Sequence, residues 1–91
     1  MVYSINYDLK KPGQDYSGLY AAIKALGVWW HYLDSTWLVD ANLNASQIAA
    51  RLNPNIDKND SLLVIGVTRD NSGWLPQEAW DRINERVGRA A

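Results

Sequence analysis

The first residues of the chain alternate between apolar and polar side chains. Successive side chains of a strand point to opposite sides of the sheet, so such alternation is typical of a half-buried β-strand. The apolar face carries Tyr3, Ile5 and Tyr7, and the polar face carries Ser4, Asn6 and Asp8. The pattern predicts a strand over residues 2–8 with one side in a core and a polar side, ending in a carboxylate, that faces a partner.

A polar loop at residues 9–14 separates this strand from a segment with helical spacing. Apolar side chains recur every three or four positions from Tyr16 to Leu26, which predicts an amphipathic helix. Asp15 is a candidate N-cap for this helix. Gly27 lies where a left-handed residue commonly ends a helix.

Aromatic and β-branched residues fill the next segment. They predict two strands, over residues 28–33 and 36–42, joined by a tight turn at Asp34 and Ser35.

The second half of the chain predicts a helix, a strand and a further helix. Asn44 and Gln47 can form a capping box at the start of the second helix. Residues 61–68 are apolar on both faces, which predicts a central strand. The extension at about 74–88 is predicted to be a helix that places Trp80, Ile83 and Val87 on one side.

This order of elements predicts an α+β fold. Right-handed crossovers fold a strand–helix–strand–strand–helix–strand chain into an antiparallel sheet with both helices on one face, the ferredoxin-like βαββαβ plait. We expect one domain over residues 1–91, with the plait at about 2–68 and the added helix after it. The sheet face away from the helices is expected to bind a second copy, giving a homodimer.

Composition limits the chemistry that the chain can support. With 9 Lys and Arg against 10 Asp and Glu, a nucleic acid could meet only a local basic patch, because the net charge is −1. The absence of cysteine and the single histidine argue against a structural zinc site. No leader or long apolar run stands out in the sequence, so we expect a cytoplasmic protein with no membrane partner.

Asp8 is the main candidate for chemistry. A divalent metal needs several oxygen ligands, so a second copy or substrate phosphates would have to complete a site at Asp8. The alternative is that Asp8 only ends the strand and binds loop amides. Lys10 and Lys11 follow it and could hold a phosphate, or they could be solvated loop lysines.

The aromatic run at residues 29–32 has two interpretations. Its rings could stack on nucleobases, at about 1–3 kcal/mol per base, or they could belong to the core or a dimer interface. His31 is a candidate acid–base group, although a lone histidine on a sheet is commonly structural. The side chains assigned to the interface are Ser4, Asn6, Trp29 and Trp37.

The strand ending in Tyr7 and Asp8, the polar loop and helix after it, and the strand pair through Ser35, Thr36 and Trp37 resemble a known family. The chain is similar, over about 2–68, to the small CRISPR-associated adaptation subunits of the "Cas two" family. It also resembles their VapD-like relatives and, above all, short SinR-like proteins.

The resemblance implies a role in prokaryotic or phage defence and a homodimer whose paired acids hold Mg²⁺ or Mn²⁺ for phosphodiester cleavage. Asp8 would then be the catalytic residue and metal ligand, with Ser35 as a supporting polar group and Tyr7 as a neighbour. Together with Lys10, Lys11 and His31, Ser35 and Tyr7 make up the predicted substrate-binding set.

The chain departs from the family at two places. His31 and Asp34 stand where a basic residue commonly precedes the Ser–aromatic motif, and a helix containing Trp80 stands where a short extra strand is common. Two functions therefore stay open: a metal-dependent endonuclease acting on RNA or DNA, and a non-catalytic dimeric scaffold or a module that binds a nucleic acid or nucleotide. The last helix could pack on its own plait or on the partner copy, or it could dock another protein.

Overall fold

The computed structural model describes residues 1–11 and 13–87, so residue 88 of the predicted last helix lies outside the described residues. The elements follow the predicted order. They are β1 (Val2–Asp8), α1 (Ser17–Lys24), β2 (Val28–Leu33), β3 (Thr36–Asp40), α2 (Ala45–Leu52), a 3₁₀ turn (Asn53–Asn55), β4 (Ser61–Gly66) and α3 (Gln77–Val87).

The four strands form one antiparallel sheet in the order β2-β3-β1-β4. Helices α1 and α2 pack on one face of this sheet, which is consistent with a ferredoxin-like plait. Strand β1 lies inside the sheet, between β3 and β4, whereas β4 lies at an edge. The prediction that β4 is central is therefore wrong.

The predicted alternation of β1 is confirmed by the main core, which lies between the sheet and the first two helices. Isoleucines and leucines of both helices meet the apolar face of β1 and one face of β3 there. The buried members include Tyr3, Ile5, Tyr7, Leu19, Ile23, Trp37, Val39, Ile48 and Leu52.

The last helix packs on the opposite face of its own sheet. Ile83 and Val87 of α3 are buried there against Val2 of β1 and Trp30 of β2. In the single chain α3 therefore packs on its own plait, and it covers part of the sheet face that was expected to bind a second copy. Within the described residues, no helix is long and apolar enough to cross a membrane.

The start of α2 uses the predicted capping side chains, whereas the N-cap of α1 is Tyr16, one residue after the predicted Asp15, and has no side-chain cap hydrogen bond. Asn44 Oδ1 accepts a hydrogen bond from Gln47 N at 2.8 Å, and Gln47 Oε1 accepts one from Asn44 N at 2.9 Å, which confirms the capping box. At α1, Asp15 Oδ1 accepts from Ser17 N at 2.9 Å, and this hydrogen bond lowers the pKa of Asp15.

Gly27 does not adopt the left-handed conformation that the sequence predicts. Within the described residues, the glycines with a positive φ are Gly13 and Gly73. The prediction that Gly27 ends α1 as a left-handed residue is therefore wrong. A Cβ at Gly27 would overlap the carbonyl oxygen of Asp40, so glycine is needed there for close approach of two backbones.

Candidate functional site

Asp8 lies at the end of β1 on the sheet face away from α1 and α2. Its Oδ2 is 2.6 Å from Nζ of Lys10, and the side chains of Asp8 and Lys10 are 64% and 54% exposed. The carboxylate is therefore half of a surface ion pair, which water screens strongly. The loop amide of Lys10 donates instead to Oδ1 of Asp60, at 2.7 Å.

The capacity of Asp8 to hold a metal is limited in a single chain. Among residues 1–11 and 13–87, no three His, Cys, Asp or Glu side chains come together as a metal-binding group. One carboxylate leaves most of the coordination shell of Mg²⁺ or Mn²⁺ to be filled by other groups. A metal at Asp8 would need a second copy or substrate phosphates.

The second loop lysine is also ion-paired. Lys11 Nζ lies 2.8 Å from Oδ2 of Asp57. This hydrogen-bonded pair raises the pKa of Lys11 and lowers the pKa of Asp57. A phosphate near Asp8 would have to displace carboxylates from both Lys10 and Lys11.

Asp60 ties this loop to the chain that precedes β4, a role that sequence reasoning missed. Besides the Lys10 amide, its carboxylate accepts from the Tyr16 hydroxyl at 2.9 Å and from Asp57 N at 2.7 Å. Partial burial opposes ionisation, but these donors together lower the pKa of Asp60. An acid in a loop carries no periodic signal in the sequence, so only the fold reveals this contact.

Tyr7 and Ser35 lie close to Asp8 along β1 and the neighbouring turn, but the Tyr7 side chain is directed to the other face. The Tyr7 hydroxyl donates to the Asp34 carbonyl at 3.2 Å and accepts from Trp37 Nε1 at 2.9 Å. Burial raises the pKa of Tyr7. Ser35 meets β1 through its backbone, since its carbonyl accepts from Tyr7 N at 3.2 Å.

His31 and Trp29 belong to an aromatic cluster on the helix side of the sheet. The His31 ring stacks on Trp37 with centroids 3.9 Å apart, and Trp29 lies 5.3 Å from Trp37. The ammonium of Lys24 lies 4.9 Å from the Trp29 ring centroid, in cation–π range. This cluster and Asp8 are on opposite faces, so the structure does not bring His31 to Asp8.

The predicted interface set does not form one surface. Trp37 is 4% exposed within the main core, so its assignment to an interface is wrong. Trp29 is 38% exposed, but it pairs with Val39 of the core and therefore lies on the helix side. Ser4 and Asn6 lie on the opposite face. The alternation could separate these two groups, but it could not say which face stays uncovered.

Ser4 and Asn6 join a polar network on the face that α3 leaves partly open. Asn6 Oδ1 accepts from Thr36 Oγ1 at 2.9 Å and from Ser4 Oγ at 3.2 Å, and Asn6 Nδ2 donates to the Leu63 carbonyl at 3.3 Å. Asn6 thus bridges three strands. Its neighbours Leu63 and Ile65 on β4 are 56% and 50% exposed.

We call the surface formed by Ser4, Asn6, Thr36, Leu63 and Ile65 the uncovered strip. The apolarity of β4 on both faces has two causes: Leu62 and Val64 pack against the main core, while Leu63 and Ile65 face outward. The two-faced pattern of the sequence predicts a buried, central strand. An edge position turns the same pattern into an exposed apolar surface.

A groove continues from the uncovered strip toward α3. It has a volume of about 230 Å³, its walls include Trp30, Tyr32 and Trp80, and Ser4 and Thr36 lie in its lining. We call it the aromatic groove. The buried Nε1 of Trp30 has no hydrogen-bond partner within the described part of the chain.

Comparison with protein-family models found no match to this chain, and comparison with curated proteins found none either. The resemblance to the CRISPR-associated adaptation subunits and their VapD-like and SinR-like relatives stays a prediction.

Proposed function

We propose that the protein is a non-catalytic scaffold that works as a homodimer, with two copies joined face to face through the uncovered strip. One observation carries this proposal: Leu63 and Ile65 lie side by side in the strip, 56% and 50% exposed. Apolar residues scattered singly over a surface are ordinary, whereas adjacent ones beside a groove are typical of an interaction site.

The charge distribution supports a protein partner. The uncovered strip contains no charged side chain, and the exposed ion pair of Asp8 and Lys10 lies at the same end of β1 as Asn6. Protein interfaces have cores depleted of charge and rims that are polar and accessible to water. The strip has the composition of such a core, and the ion pair has that of a rim.

A second copy of the chain fits the strip better than a nucleic acid does. Lys10 and Lys11 both bind carboxylates of their own chain, at 2.6 and 2.8 Å. Nucleic-acid affinity rests largely on cations that neutralise phosphates. The overall charge of −1 provides no compensating attraction.

The scaffold proposal is tested by measuring mass against concentration. We expect the wild-type chain to show a monomer–dimer equilibrium in analytical ultracentrifugation. Changing Leu63 and Ile65 together to threonine keeps good strand formers while removing apolar surface, and it should weaken the dimer by at least about tenfold. Val28→Thr is the matched control, since Val28 is 47% exposed on β2 at the far edge.

Two outcomes would contradict the proposal. One is a wild-type chain that stays monomeric at millimolar concentration. The other is a dimer that is weakened equally by the control and by the paired change.

A second proposal is the metal-dependent endonuclease that the family resemblance implies. The observation that favours it is the 64% exposure of Asp8 on the same sheet face as the strip. A face-to-face dimer could bring two Asp8 carboxylates toward one Mg²⁺ or Mn²⁺ ion, if Lys10 turns away toward a phosphate.

Cleavage of labelled RNA and DNA separates the two proposals. With Mg²⁺ or Mn²⁺, and with EDTA as the blank, the scaffold proposal expects no cleavage by a verified dimer. Cleavage that needs metal and is lost in Asp8→Ala, but kept in the loop control Asp70→Ala, would establish the nuclease instead.

A further inference from the structure

We propose that Trp74 of each copy inserts into the aromatic groove of the other copy and anchors the homodimer. This inference rests on the proposed function and adds the residue and the pocket that make the contact. It assigns a role to the most exposed large hydrophobic side chain of the described residues and to the groove beside it.

Trp74 is 95% exposed in the single chain. Tryptophan is enriched among the residues that contribute most to protein interfaces, because its large ring loses little conformational entropy when it is buried. An indole standing free in water gains more from burial than any other side chain of this surface.

The backbone before Trp74 is held in a conformation that requires glycine. Gly73 has a φ of +156°, and nothing lies within 4 Å of the position that a Cβ would take there. The glycine is therefore needed for its backbone conformation and not for lack of space. This glycine directly precedes Trp74, whose side chain is exposed.

The aromatic groove has the size of one side chain. Its volume of about 230 Å³ lies below the roughly 300–1,000 Å³ of pockets that bind drug-sized ligands. Trp30, Tyr32 and Trp80 provide walls against which an indole ring can stack or pack edge to face. A single aromatic side chain fits this description better than a cofactor does.

A hydroxyl at the groove can accept the indole N–H of the incoming ring. Thr36 Oγ1 already donates its proton to Asn6 Oδ1, at 2.9 Å, so its lone pairs face other donors. A buried tryptophan commonly finds such a partner. The groove thereby offers a polar contact as well as apolar walls.

The positions of Trp74 and the groove suit a two-fold dimer. Ser72 and Leu75 line the aromatic groove, so Trp74 belongs to the same short segment as one wall of the groove. An isologous interface needs self-complementary patches on both copies. Ser4 belongs both to the groove and to the uncovered strip, which makes the two surfaces continuous.

The first test compares dimer dissociation constants by analytical ultracentrifugation. Trp74→Ala should weaken the dimer at least about 30-fold, as expected of an interface anchor. Trp29→Ala is the matched control, because Trp29 is an exposed tryptophan on the helix side, and it should leave the dissociation constant unchanged. Circular dichroism of each variant at monomeric concentration checks that the fold is kept.

A mixing experiment tests the reciprocal contact. Ser72→Trp should fill the chain's own groove, so this variant and Trp74→Ala should each dimerise poorly alone. A one-to-one mixture should form a heterodimer, since one intact Trp74 can then enter one open groove. No gain of dimer on mixing would overturn the inference.

Fluorescence gives a readout that does not depend on a destabilised variant. Acrylamide quenching of wild-type tryptophans should fall as the dimer forms, and Trp74→Phe should reduce this dependence on concentration, with the remainder coming from Trp80 in the groove wall. If the dimer dissociation constant were unchanged by Trp74→Ala, this inference would be wrong, whereas the scaffold proposal would not be contradicted. A wild-type chain that never dimerises would sink both.

Discussion

The Tyr7 hydroxyl is held between two neighbours inside the main core. It accepts from Trp37 Nε1 at 2.9 Å and donates to the carbonyl of Asp34 at 3.2 Å. Tyr7→Phe leaves the indole N–H of Trp37 without its acceptor in a buried site. We expect the free energy of unfolding to fall by about 1–3 kcal/mol.

Urea unfolding followed by far-ultraviolet circular dichroism measures this loss. Tyr3→Phe is the matched control, because Tyr3 is a buried tyrosine on the same face of β1 and lies outside the contact with Trp37. The paired roles of Tyr7 and Trp37 would be contradicted if both variants lost the same amount of stability.

Residue types alone predicted the short-range hydrogen bonds of some side chains but not the long-range ones of others. The amide and carboxylate side chains at the helix starts, Asn44 and Asp15, have short-range partners, so the sequence predicted them. Asp60 binds groups 44 and 50 positions away along the chain. Contacts over such separations depend on how the strands are ordered, which local patterns do not encode.

The junction of α1 with β2 depends on backbone packing at Gly27. A methyl group at this position would overlap the Asp40 carbonyl oxygen on β3, and neither backbone can rotate away as a side chain can. Gly27→Ala should therefore lower the free energy of unfolding by about 1–3 kcal/mol.

Gly18→Ala is the matched control for this change. A Cβ at Gly18 would lie 3.1 Å from the Asn55 side-chain oxygen, which can shift. Alanine also favours a helix over glycine by roughly 0.5–1 kcal/mol. Thermal and urea unfolding should therefore place Gly18→Ala near the wild type, and a similar loss in both variants would argue against the backbone contact at Gly27.

The strands and helices could be predicted from the sequence because they depend on local periodicity. The alternation over Val2–Asp8 and the capping box of α2 were both confirmed. The position of β4 was not accessible, because an apolar strand can lie inside a sheet or at an edge beneath a partner. The role of Asp8 as a site residue stays a prediction, and the sequence could not show its pairing with Lys10.

The whole molecule carries several carboxylates whose ionised form the fold stabilises. Partial burial opposes ionisation of Asp40, but Arg86 at 2.8 Å and the Met1 ammonium at 3.2 Å together lower its pKa. The pKa values of Asp57 and Asp60 are lowered as well. These contacts fasten α3 to β3 and fasten the loop after β1 to the chain before β4.

The sign of the pH dependence follows from these shifts. A carboxyl whose pKa is lower when folded adds stability above its unfolded pKa, near the ordinary value of 3.8, and this stability is lost as the pH falls through the folded pKa. We expect stability to be level near neutral pH and to fall below about pH 4. Asp40→Asn should cost about 1 kcal/mol at pH 7 and converge on the wild type in acid.

Urea midpoints measured from pH 7 to pH 2 check this expectation. Asp70→Asn, a change at an exposed aspartate in the loop after β4, should run parallel to the wild type over the whole range. If the difference in urea midpoint between Asp40→Asn and the wild type stayed constant with pH, the charge of the Asp40 carboxylate would not contribute to stability.

The edge position of β4 also bears on solubility. Ser61–Gly66 is a run of six residues without charge or proline, and such a strand is a template on which further chains can add without limit, as in a fibril. The proposed face-to-face dimer is closed after two copies and buries the outward-facing Leu63 and Ile65, but it leaves the backbone edge of β4 unpaired. A variant that loses the proposed dimer would expose an apolar face beside this unpaired edge, and we expect it to aggregate more readily than the wild type.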